Sequence, residues 1–403
     1  MKKNEKNLII EGAEFNCRNP LIIAELGTSH NGDINRAKLM IDAAKETGAG
    51  CVKTQIVYAD EILHPNTGEV PLPGGKIRLY DQFKSLETPA EFYDEMKNYA
   101  ESKGLLFLCT PFGLKSASIL KKKQPKMVKI ASPELNYTGL LEEIASWKLP
   151  TLLSTGVSRL SDIETAVEIL KKHLTRIHGG TKNTEERKEE SDSSSVSSCL
   201  CVNSSFNICL LHCVTAYPAP ETDYNLRILP YLASIFGVSV GVSDHSADPQ
   251  LVPSLAVSMG AAAVEKHFCL SRNDPGLDDP IALEPGDFSK MVKAVQKAAK
   301  DSAEKTIARY SRERGAALIE QILGDGVKRL APSEKENYSR TNRSIHALRD
   351  IAAGEIIKRS DYAVLRTEKI LRPGLEPCRE NEMEGKTAKN FIPAGEGIRF
   401  EDI

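Results

Sequence analysis

Short apolar runs alternate with segments of helical period along the first two-thirds of the chain. The runs are rich in β-branched and other apolar residues, as is typical of strands buried on both faces. Eight of them occur, at residues 21–26, 50–55, 105–110, 127–132, 150–154, 207–213, 237–242 and 262–267. A predicted helix follows each, at residues 34–47, 89–103, 116–122, 139–146, 161–174, 225–236, 249–259 and 285–299, and Asp33 has the position of an N-cap for the first.

Eight strand–helix units in roughly 280 residues predict an α/β protein with a (β/α)8 TIM barrel. The alternative is an open, doubly wound sheet of the Rossmann type. That alternative is disfavoured because no G-x-G-x-x-G follows the first run and no G-x-x-x-x-G-K-[ST] occurs in the chain. The same absence argues against a cradle for the phosphates of a nucleotide.

Three further segments complete the predicted organisation, with the barrel domain at residues 1–300. Residues 179–206 are polar and serine-rich, which predicts a disordered insertion within the barrel. Residues 301–335 predict a helix and a linker, and residues 336–403 a small β-rich domain. This domain contains an internal duplication, since the segment Ile351 to Asp361 recurs as Ile392 to Asp402, 41 positions later.

Composition excludes several classes of function. The chain has 403 residues, with 53 Lys and Arg against 55 Asp and Glu, so no strongly basic surface for nucleic acid is expected. The longest apolar run, residues 208–214, is far shorter than the roughly 20 residues that span a bilayer. No secretory signal follows Met1, and nine scattered cysteines fit reduced thiols. The sequence therefore predicts a cytoplasmic protein that binds neither membrane nor nucleic acid.

Polar residues end most of the predicted strands. Residues two apart on a strand share a face, which pairs Lys53 with Gln55, Ser243 with His245, and Glu265 with His267. Charged groups buried without partners under the helices would cost several kcal/mol, so these faces are expected to line the barrel mouth. Other strand ends carry Glu25, Thr110, Lys129, Ser132 and Ser154. Because reactive groups gather at the carboxyl ends of barrel strands, we expect one shared pocket.

His245 and His267 end the adjacent seventh and eighth strands and could each offer a neutral imidazole nitrogen to one metal ion. Two such ligands leave positions for water and substrate. Two imidazoles and water have no strong selectivity among Mn²⁺, Co²⁺ and Zn²⁺. The alternative is that both are structural histidines of the core or of a loop.

Lys53 and Lys129 interrupt apolar strands and, with nearby hydroxyl groups, predict a site for a phosphate or carboxylate. A second possibility is that one lysine forms a Schiff base, if burial lowers its pKa. Glu25 ends the first strand, where it could act as a general base on water, orient a ligand, or simply pair with a cation.

Ordered motifs along the chain resemble those of the sialic acid synthases, in particular a bacterial N-acetylneuraminate synthase. They are Ile23-Ala24-Glu25-Leu26-Gly27, His30-Asn31-Gly32, Val52-Lys53-Thr54-Gln55, Thr110-Pro111-Phe112, Lys129-Ile130-Ala131-Ser132, Leu153-Ser154-Thr155-Gly156, Leu211-His212-Cys213, Tyr217-Pro218, Gly241-Val242-Ser243-Asp244-His245 and Glu265-Lys266-His267-Phe268. Residues 338–403 resemble the antifreeze-like (SAF) domain of that family.

The resemblance implies condensation of phosphoenolpyruvate with open-chain N-acetylmannosamine, or a related N-acylhexose, and water, to give N-acetylneuraminate and phosphate. It implies that His245 and His267 hold Mn²⁺ and that Glu25 orients or deprotonates the water. The residues implied to bind phosphoenolpyruvate are Lys53, Thr110, Lys129, Ser132, Ser154 and Ser243. Those implied to face the sugar are Gln55, Tyr217, Glu265 and Asp278.

The resemblance also implies a domain-swapped homodimer, in which Arg372 of the small domain enters the pocket of the other subunit. Thr215 departs from the family, which commonly carries Asn at this position. Pseudaminic or legionaminic acid synthases that use a diacetamido-hexose therefore stay open as an alternative. An alternative of another class is a non-catalytic carbohydrate-binding protein with a degenerate barrel, but Glu25, both lysines and both histidines are present.

Overall fold

Eight parallel strands form a nearly closed barrel, in a computed structural model that describes residues 7–72, 75–175 and 207–403. The barrel strands are β3 (Leu21–Gly27), β4 (Cys51–Ile56), β7 (Leu106–Pro111), β8 (Val128–Ile130), β9 (Thr151–Ser154), β10 (Ile208–Cys213), β11 (Ser239–Asp244) and β12 (Ala263–His267). Their order is β7-β4-β3-β12-β11-β10-β9-β8, and the two end strands lie in contact. The predicted TIM barrel is confirmed. The predicted disordered insertion at 179–206 lies outside the described residues.

Helices cover the outside of the barrel. They are α1 (Ile34–Glu46), α4 (Ala90–Ser102), α5 (Leu114–Lys122), α6 (Thr138–Trp147), α7 (Leu160–Thr175), α8 (Ile228–Phe236), α9 (Leu251–Ser258) and α10 (Pro285–Lys300). The side chain of Asp33 accepts a hydrogen bond from the backbone N–H of Asn35, as expected of the N-cap of α1. Within the described ranges, no helix is both long and apolar enough to cross a membrane.

Strand β3 shows why the polar residues collect at one end of the barrel. Ile22 and Ala24 belong to the core between the strands and the helices, whereas Leu21 and Ile23 belong to a second core inside the barrel. Glu25 is the next residue on the inward face. A hairpin of β1 (Leu8–Ile10) and β2 (Ala13–Phe15) adds buried side chains to the inner core. The inside of the barrel is therefore apolar towards the amino ends of the strands and polar towards their carboxyl ends.

An insertion that the sequence pattern did not predict follows β4. It contains α2 (Ala59–Ile62), an antiparallel hairpin of β5 (Glu69–Leu72) and β6 (Gly75–Arg78), and α3 (Leu79–Ser85). Its chain leaves the carboxyl end of β4. The insertion is thus placed beside the polar end of the barrel.

The C-terminal part begins with two helices, where one was predicted, α11 (Ala303–Arg314) and α12 (Ala316–Leu323). Strands β13 (Arg343–Ala347) and β14 (Tyr362–Arg366) then pair antiparallel. The two copies of the duplication meet at a bridge between Ile351 and Ile392. The repeated aspartates cap short 3-10 turns, because each accepts a hydrogen bond from the backbone N–H three residues before it. The domain boundaries at 300 and 335 stay predictions.

Two buried histidines outside the pocket are expected to make the fold less stable in acid. Burial lowers the pKa of His212 to about 3 and that of His346 to about 4. Below pH 6.5 the unfolded chain takes up protons on these imidazoles and the native chain does not. The free energy of unfolding therefore decreases as the pH decreases. We expect a loss of about 2 kcal/mol per histidine between pH 7.5 and pH 5. Urea unfolding of wild type and His346→Gln at pH 7.5 and 5 tests this; an equal pH dependence in both would contradict the assignment to His346.

Candidate active site

A cavity of about 460 Å³ opens at the carboxyl ends of the barrel strands. All but two of the site residues predicted from the sequence line it: Glu25, Lys53, Gln55, Lys129, Ser132, Ser154, Tyr217, Ser243, His245, Glu265, His267 and Asp278. Thr110 and Arg372 are not lining residues. Thr110 is buried and its hydroxyl has no hydrogen-bond partner within the described residues. The structure thus brings most of the predicted side chains together.

Lys53 bridges two carboxylates at the floor of the cavity. Its Nζ lies 3.0 Å from Glu25 Oε2 and 3.0 Å from Glu265 Oε1, and all three side chains are at most 5% exposed. Burial would lower the pKa of Lys53, but the two carboxylates outweigh it and raise that pKa above its usual value. Lys53 is therefore a fixed positive charge. Gln55 Nε2 donates a hydrogen bond of 2.6 Å to the other oxygen of Glu25.

Lys129 approaches the same oxygen of Glu265, with 3.6 Å between its Nζ and Glu265 Oε1. It donates a hydrogen bond of 2.7 Å to Ser154 Oγ. Burial lowers the pKa of Lys129 despite the attraction of Glu265. For Glu265, burial opposes ionisation, but Lys129 and Lys53 together hold its pKa at about 2. Ser243 Oγ also donates to Glu265, so the carboxylate is fixed by three donors or cations.

The imidazoles of His245 and His267 lie side by side, with 5.4 Å between ring centroids. Nδ1 of His245 is 2.8 Å from the carbonyl oxygen of Val214, which can only accept, so Nδ1 carries a proton. Burial opposes ionisation of His245, but Cys213, whose Sγ lies 3.7 Å from Nδ1, raises the pKa of His245 to about 9, so its ring is protonated at pH 7 in the absence of a metal ion. Nδ1 of His267 lies 3.6 Å from Asp278 Oδ2. Burial, followed by the charge of His245, lowers the pKa of His267 to about 3, so its ring is neutral at pH 7.

Two imidazoles can bind a divalent metal ion that completes its coordination with water and substrate, provided that His245 releases the proton on Nε2 when the ion binds. In the described parts of the chain, no group of three or more His, Cys, Asp or Glu side chains is placed to hold a metal. A metal ion held by the histidine pair therefore stays a prediction.

A second buried ion pair supports His245 from the outside of the barrel. Lys266 and Asp244 lie on the outward faces of β12 and β11, are at most 1% exposed and are 2.5 Å apart. Lys266 Nζ also donates to the carbonyl oxygen of Ser246, at 2.6 Å. The residues on both sides of His245 are therefore bound to one ammonium group. This pair was not predicted from the sequence, because charged groups on the outward faces were expected to lack partners.

The C-terminal domain packs over the same end of the barrel and contributes a residue to the cavity. Arg343 and Arg366 both donate to Glu134 Oε1, and both Arg343 and Glu134 are fully buried. Arg366 lines the cavity. Arg372 instead donates to Asp402 and to the carbonyl oxygen of Gly397, outside the cavity. Its predicted contact involves another subunit, so that contact stays a prediction.

One wall of the cavity is apolar. It is formed by Ile77, Leu79 and Phe83 of the insertion after β4, Phe112 after β7, and Leu277 after β12. The sequence reasoning did not find this wall because the insertion lacks the period of the barrel units. Its only sequence signal is that apolar residues recur at positions 77, 79 and 83.

A barrel with a polar, cation-bearing cavity at the carboxyl ends of its strands has the architecture of a TIM-barrel enzyme. The profile of the NeuB family matches residues 40–306, and that of the SAF domain matches residues 342–403. The chain belongs to the NeuB family and carries a C-terminal SAF domain. The resemblance found in the sequence is thereby confirmed at the level of the family.

Several relatives match almost the whole chain. Spore coat polysaccharide biosynthesis protein SpsE of Bacillus subtilis is 33% identical over 95% of this chain and 93% of its own length. Its crystal structure aligns with a TM-score of 0.74, covering 98% of this chain and 99% of that chain at 30% identity. The N,N'-diacetyllegionaminic acid synthase of Campylobacter jejuni is 30% identical over 94% of this chain and 98% of its own. The pseudaminic acid synthase of the same species is 31% identical, covering 95% and 96%.

Proposed function

We propose that this chain condenses phosphoenolpyruvate with an N-acylated hexose and water to give a nonulosonic acid and phosphate. The observation that carries the proposal is the convergence of Lys53, Lys129, His245 and His267 on one cavity. N-acetylmannosamine, giving N-acetylneuraminate, is the acceptor proposed from the resemblance. A diacetamido-hexose is the second candidate, supported by the names of the two Campylobacter relatives and by the apolar wall, which suits an additional acyl methyl group.

The residues at the cavity floor divide into three roles in this proposal. Lys53 and Lys129 supply charge for phosphoenolpyruvate, and the hydroxyl groups of Ser132, Ser154 and Ser243, which line the cavity, supply hydrogen bonds. Thr110, a further ligand implied by the resemblance, is not a lining residue and would need a local rearrangement to reach the substrate. Glu25 accepts a proton from, or orients, the water that adds to the substrate carbon from which phosphate leaves. Gln55, Tyr217, Glu265 and Asp278 face the sugar.

His245 and His267 would hold the metal ion, for which Mn²⁺ is proposed. When bound, the ion supplies Lewis-acid polarisation of the acceptor's aldehyde oxygen. The protein's own contribution is to keep the ring of His267 neutral by burial and to orient the ring of His245 through the Val214 carbonyl. The apolar residues around the cavity limit access of further water.

A domain-swapped homodimer is the proposed assembly. Domain swapping exchanges an identical element between two copies, so it preserves the contacts between that element and the body it covers. The contacts of Arg343 and Arg366 with Glu134 would then join two subunits instead of two parts of one. Light scattering on the purified protein measures the number of subunits.

The proposed reaction is tested by release of inorganic phosphate from phosphoenolpyruvate when an N-acylhexose and Mn²⁺ are added. We expect His245→Ala to reduce turnover by at least about 100-fold, because removal of one of two metal ligands weakens binding of the ion. Electron paramagnetic resonance of free Mn²⁺ should show weaker binding by the variant, with an unchanged circular dichroism spectrum. Wild-type turnover by His245→Ala in metal-free buffer would exclude the metal role.

An imine mechanism is distinguished in the same assay. It would use Lys129, whose pKa is lowered by burial. Borohydride trapping of substrate on the protein would support the imine, and loss of activity with a chelator would support the metal. Absence of phosphate release with every N-acylhexose tried would favour a carbohydrate-binding role.

A further inference from the structure

The linker between α12 and the C-terminal domain, residues 324–342, lies against two loops at the open end of the barrel. Lys328 Nζ donates a hydrogen bond of 3.0 Å to the carbonyl oxygen of Thr155, in the loop after β9. The second loop follows β10. Both border the cavity, because Ser154 at the end of β9 and Thr215 after β10 are lining residues. The linker therefore lies directly behind the proposed active site.

Glu334 is the buried centre of this contact. Its side chain belongs to the linker and is only 1% exposed. Oε1 accepts hydrogen bonds from the backbone N–H groups of Val157, at 2.8 Å, and Thr215, at 2.7 Å. Oε2 accepts from the backbone N–H of Ala331 at 3.2 Å. Because a single oxygen atom binds both loops, Glu334 fixes the distance between them.

Val157 shows that the linker also imposes a backbone conformation. Its φ angle is 41°, in the left-handed region that β-branched residues rarely adopt. Such a conformation persists only where the surrounding contacts determine it. The N–H of Val157 is bound by Glu334, and its carbonyl oxygen accepts a hydrogen bond of 3.1 Å from Asn342 Nδ2. Two side chains of the linker thus hold both polar groups of one strained residue.

The neighbour of this strained residue contacts a predicted ligand of phosphoenolpyruvate. The backbone N–H of Gly156 donates a hydrogen bond of 3.0 Å to Ser132 Oγ. A Cβ atom on Gly156 would lie 2.9 Å from Ser132 Oγ and would overlap Thr215 Oγ1, so its backbone fills the space between two hydroxyl groups. An oxygen that accepts from Gly156 keeps its own O–H for donation to a substrate. A shift of Val157 would therefore reorient Ser132.

The proposed sugar-facing residue of the loop after β10 has a separate anchor. The backbone N–H of Ala219 donates a hydrogen bond of 3.0 Å to the carbonyl oxygen of His245. The ring of Tyr217 packs on the ring of His245, with 4.4 Å between centroids. Tyr217 is consequently fixed to β11, and it depends less on Glu334 than Ser132 does.

We propose that Glu334 is a positioning residue for phosphoenolpyruvate, which holds the two loops so that the Ser132 hydroxyl can donate to the substrate. The inference rests on the function proposed above. Glu334 is not a lining residue of the cavity and acts through Val157 and Gly156. What matters in this role is the place of its Oε1 atom, because two N–H groups converge there, and not its negative charge.

Two variants separate position from charge. Glu334→Asp keeps the charge but withdraws the oxygen by one methylene group, and it should raise KM for phosphoenolpyruvate by about 10-fold, the equivalent of one hydrogen bond. Glu334→Gln loses the charge but keeps an oxygen that can accept from both N–H groups, so its KM should change less than about threefold. In both variants KM for N-acetylmannosamine should change less than about twofold. Isothermal titration calorimetry with phosphoenolpyruvate alone should show the same order of affinities.

Glu336→Gln is the matched control, because it removes an exposed carboxylate two positions further along the linker. It should have wild-type kinetics. Circular dichroism and thermal unfolding show whether each variant folds. If Glu334→Asp does not fold, Asn342→Ala releases the same Val157 from its carbonyl side and should raise KM for phosphoenolpyruvate by about 3- to 10-fold.

Three results would overturn the inference. A larger defect in Glu334→Gln than in Glu334→Asp would mean that the charge acts directly. Equal increases in KM for both substrates would mean that Glu334 only stabilises the fold. Wild-type KM values in Glu334→Asp, or in Asn342→Ala where that variant replaces it, would mean that the loops do not need this contact.

The proposed function fails in a different way. If wild type releases no phosphate with any acceptor, both the function and the inference fall. If wild type is active and the Glu334 variants bind phosphoenolpyruvate as wild type does, only the inference falls.

Discussion

Replacing Lys53 by methionine should reduce kcat/KM for phosphoenolpyruvate by at least about 100-fold and also destabilise the fold. Lys53 is the cation between Glu25 and Glu265, and its removal leaves two buried carboxylates facing each other. Breaking a buried ion pair on one side costs about 3–5 kcal/mol. The substrate phosphate or carboxylate loses a fixed positive charge at the same time. The measurements are steady-state kinetics and urea unfolding at pH 7.5.

Two control variants make the Lys53 result interpretable. Lys38→Met removes an exposed lysine paired with Glu95 and should change stability by at most about 1 kcal/mol. The double variant Lys53→Met/Glu265→Gln removes one of the two buried carboxylate charges that lose their cation. It should therefore recover stability without recovering activity. If the double variant regained wild-type kcat/KM, Lys53 would be a structural residue only.

Lys266→Met is expected to weaken Mn²⁺ binding by about 10- to 100-fold, although the side chain points away from the cavity. Lys266 binds Asp244 and Ser246, the neighbours of His245 on both sides, and such supporting contacts affect metal affinity by about this factor. The variant should also lose about 3–5 kcal/mol of stability, because Asp244 is left charged in the core. Electron paramagnetic resonance measures the affinity, and urea unfolding measures the stability.

A double variant distinguishes positioning from general destabilisation. Lys266→Met/Asp244→Asn removes both charges and should recover most of the stability. Its Mn²⁺ affinity should stay low, because Ser246 is still released. As a matched control, Lys290→Met removes an exposed lysine paired with Asp287 and should leave both quantities unchanged. Full recovery of affinity in the double variant would refute the positioning role.

Local sequence patterns were sufficient to predict the barrel and the residues at the floor of its cavity. Each strand is buried on both faces, so its apolar run is continuous, and a polar residue near its end is conspicuous. Glu25 and His267 were placed correctly for this reason: they continue the inward faces of β3 and β12, and their backbones are paired in the sheet. Alternation along a strand contains this information without any knowledge of distant contacts.

Contacts between distant segments were not predictable in the same way. Lys266 and Glu265 are neighbours in the sequence, and only the fold shows that one binds a carboxylate outside the barrel and the other binds lysines inside it. The link between Arg366 and Glu134 joins positions 232 residues apart. No hydrophobic period or motif spacing in the sequence indicates this contact. The apolar wall depends likewise on an insertion whose own residues do not repeat.

The ion pair between Arg372 and Asp402 has a consequence for assembly. Asp402 already caps the last turn of the chain, so its carboxylate is fixed whether or not the arginine is present. A subunit that extended Arg372 towards another molecule would have to give up this internal bond first. A contact of Arg372 with another molecule therefore competes with its bond to Asp402, and the outcome depends on protein concentration.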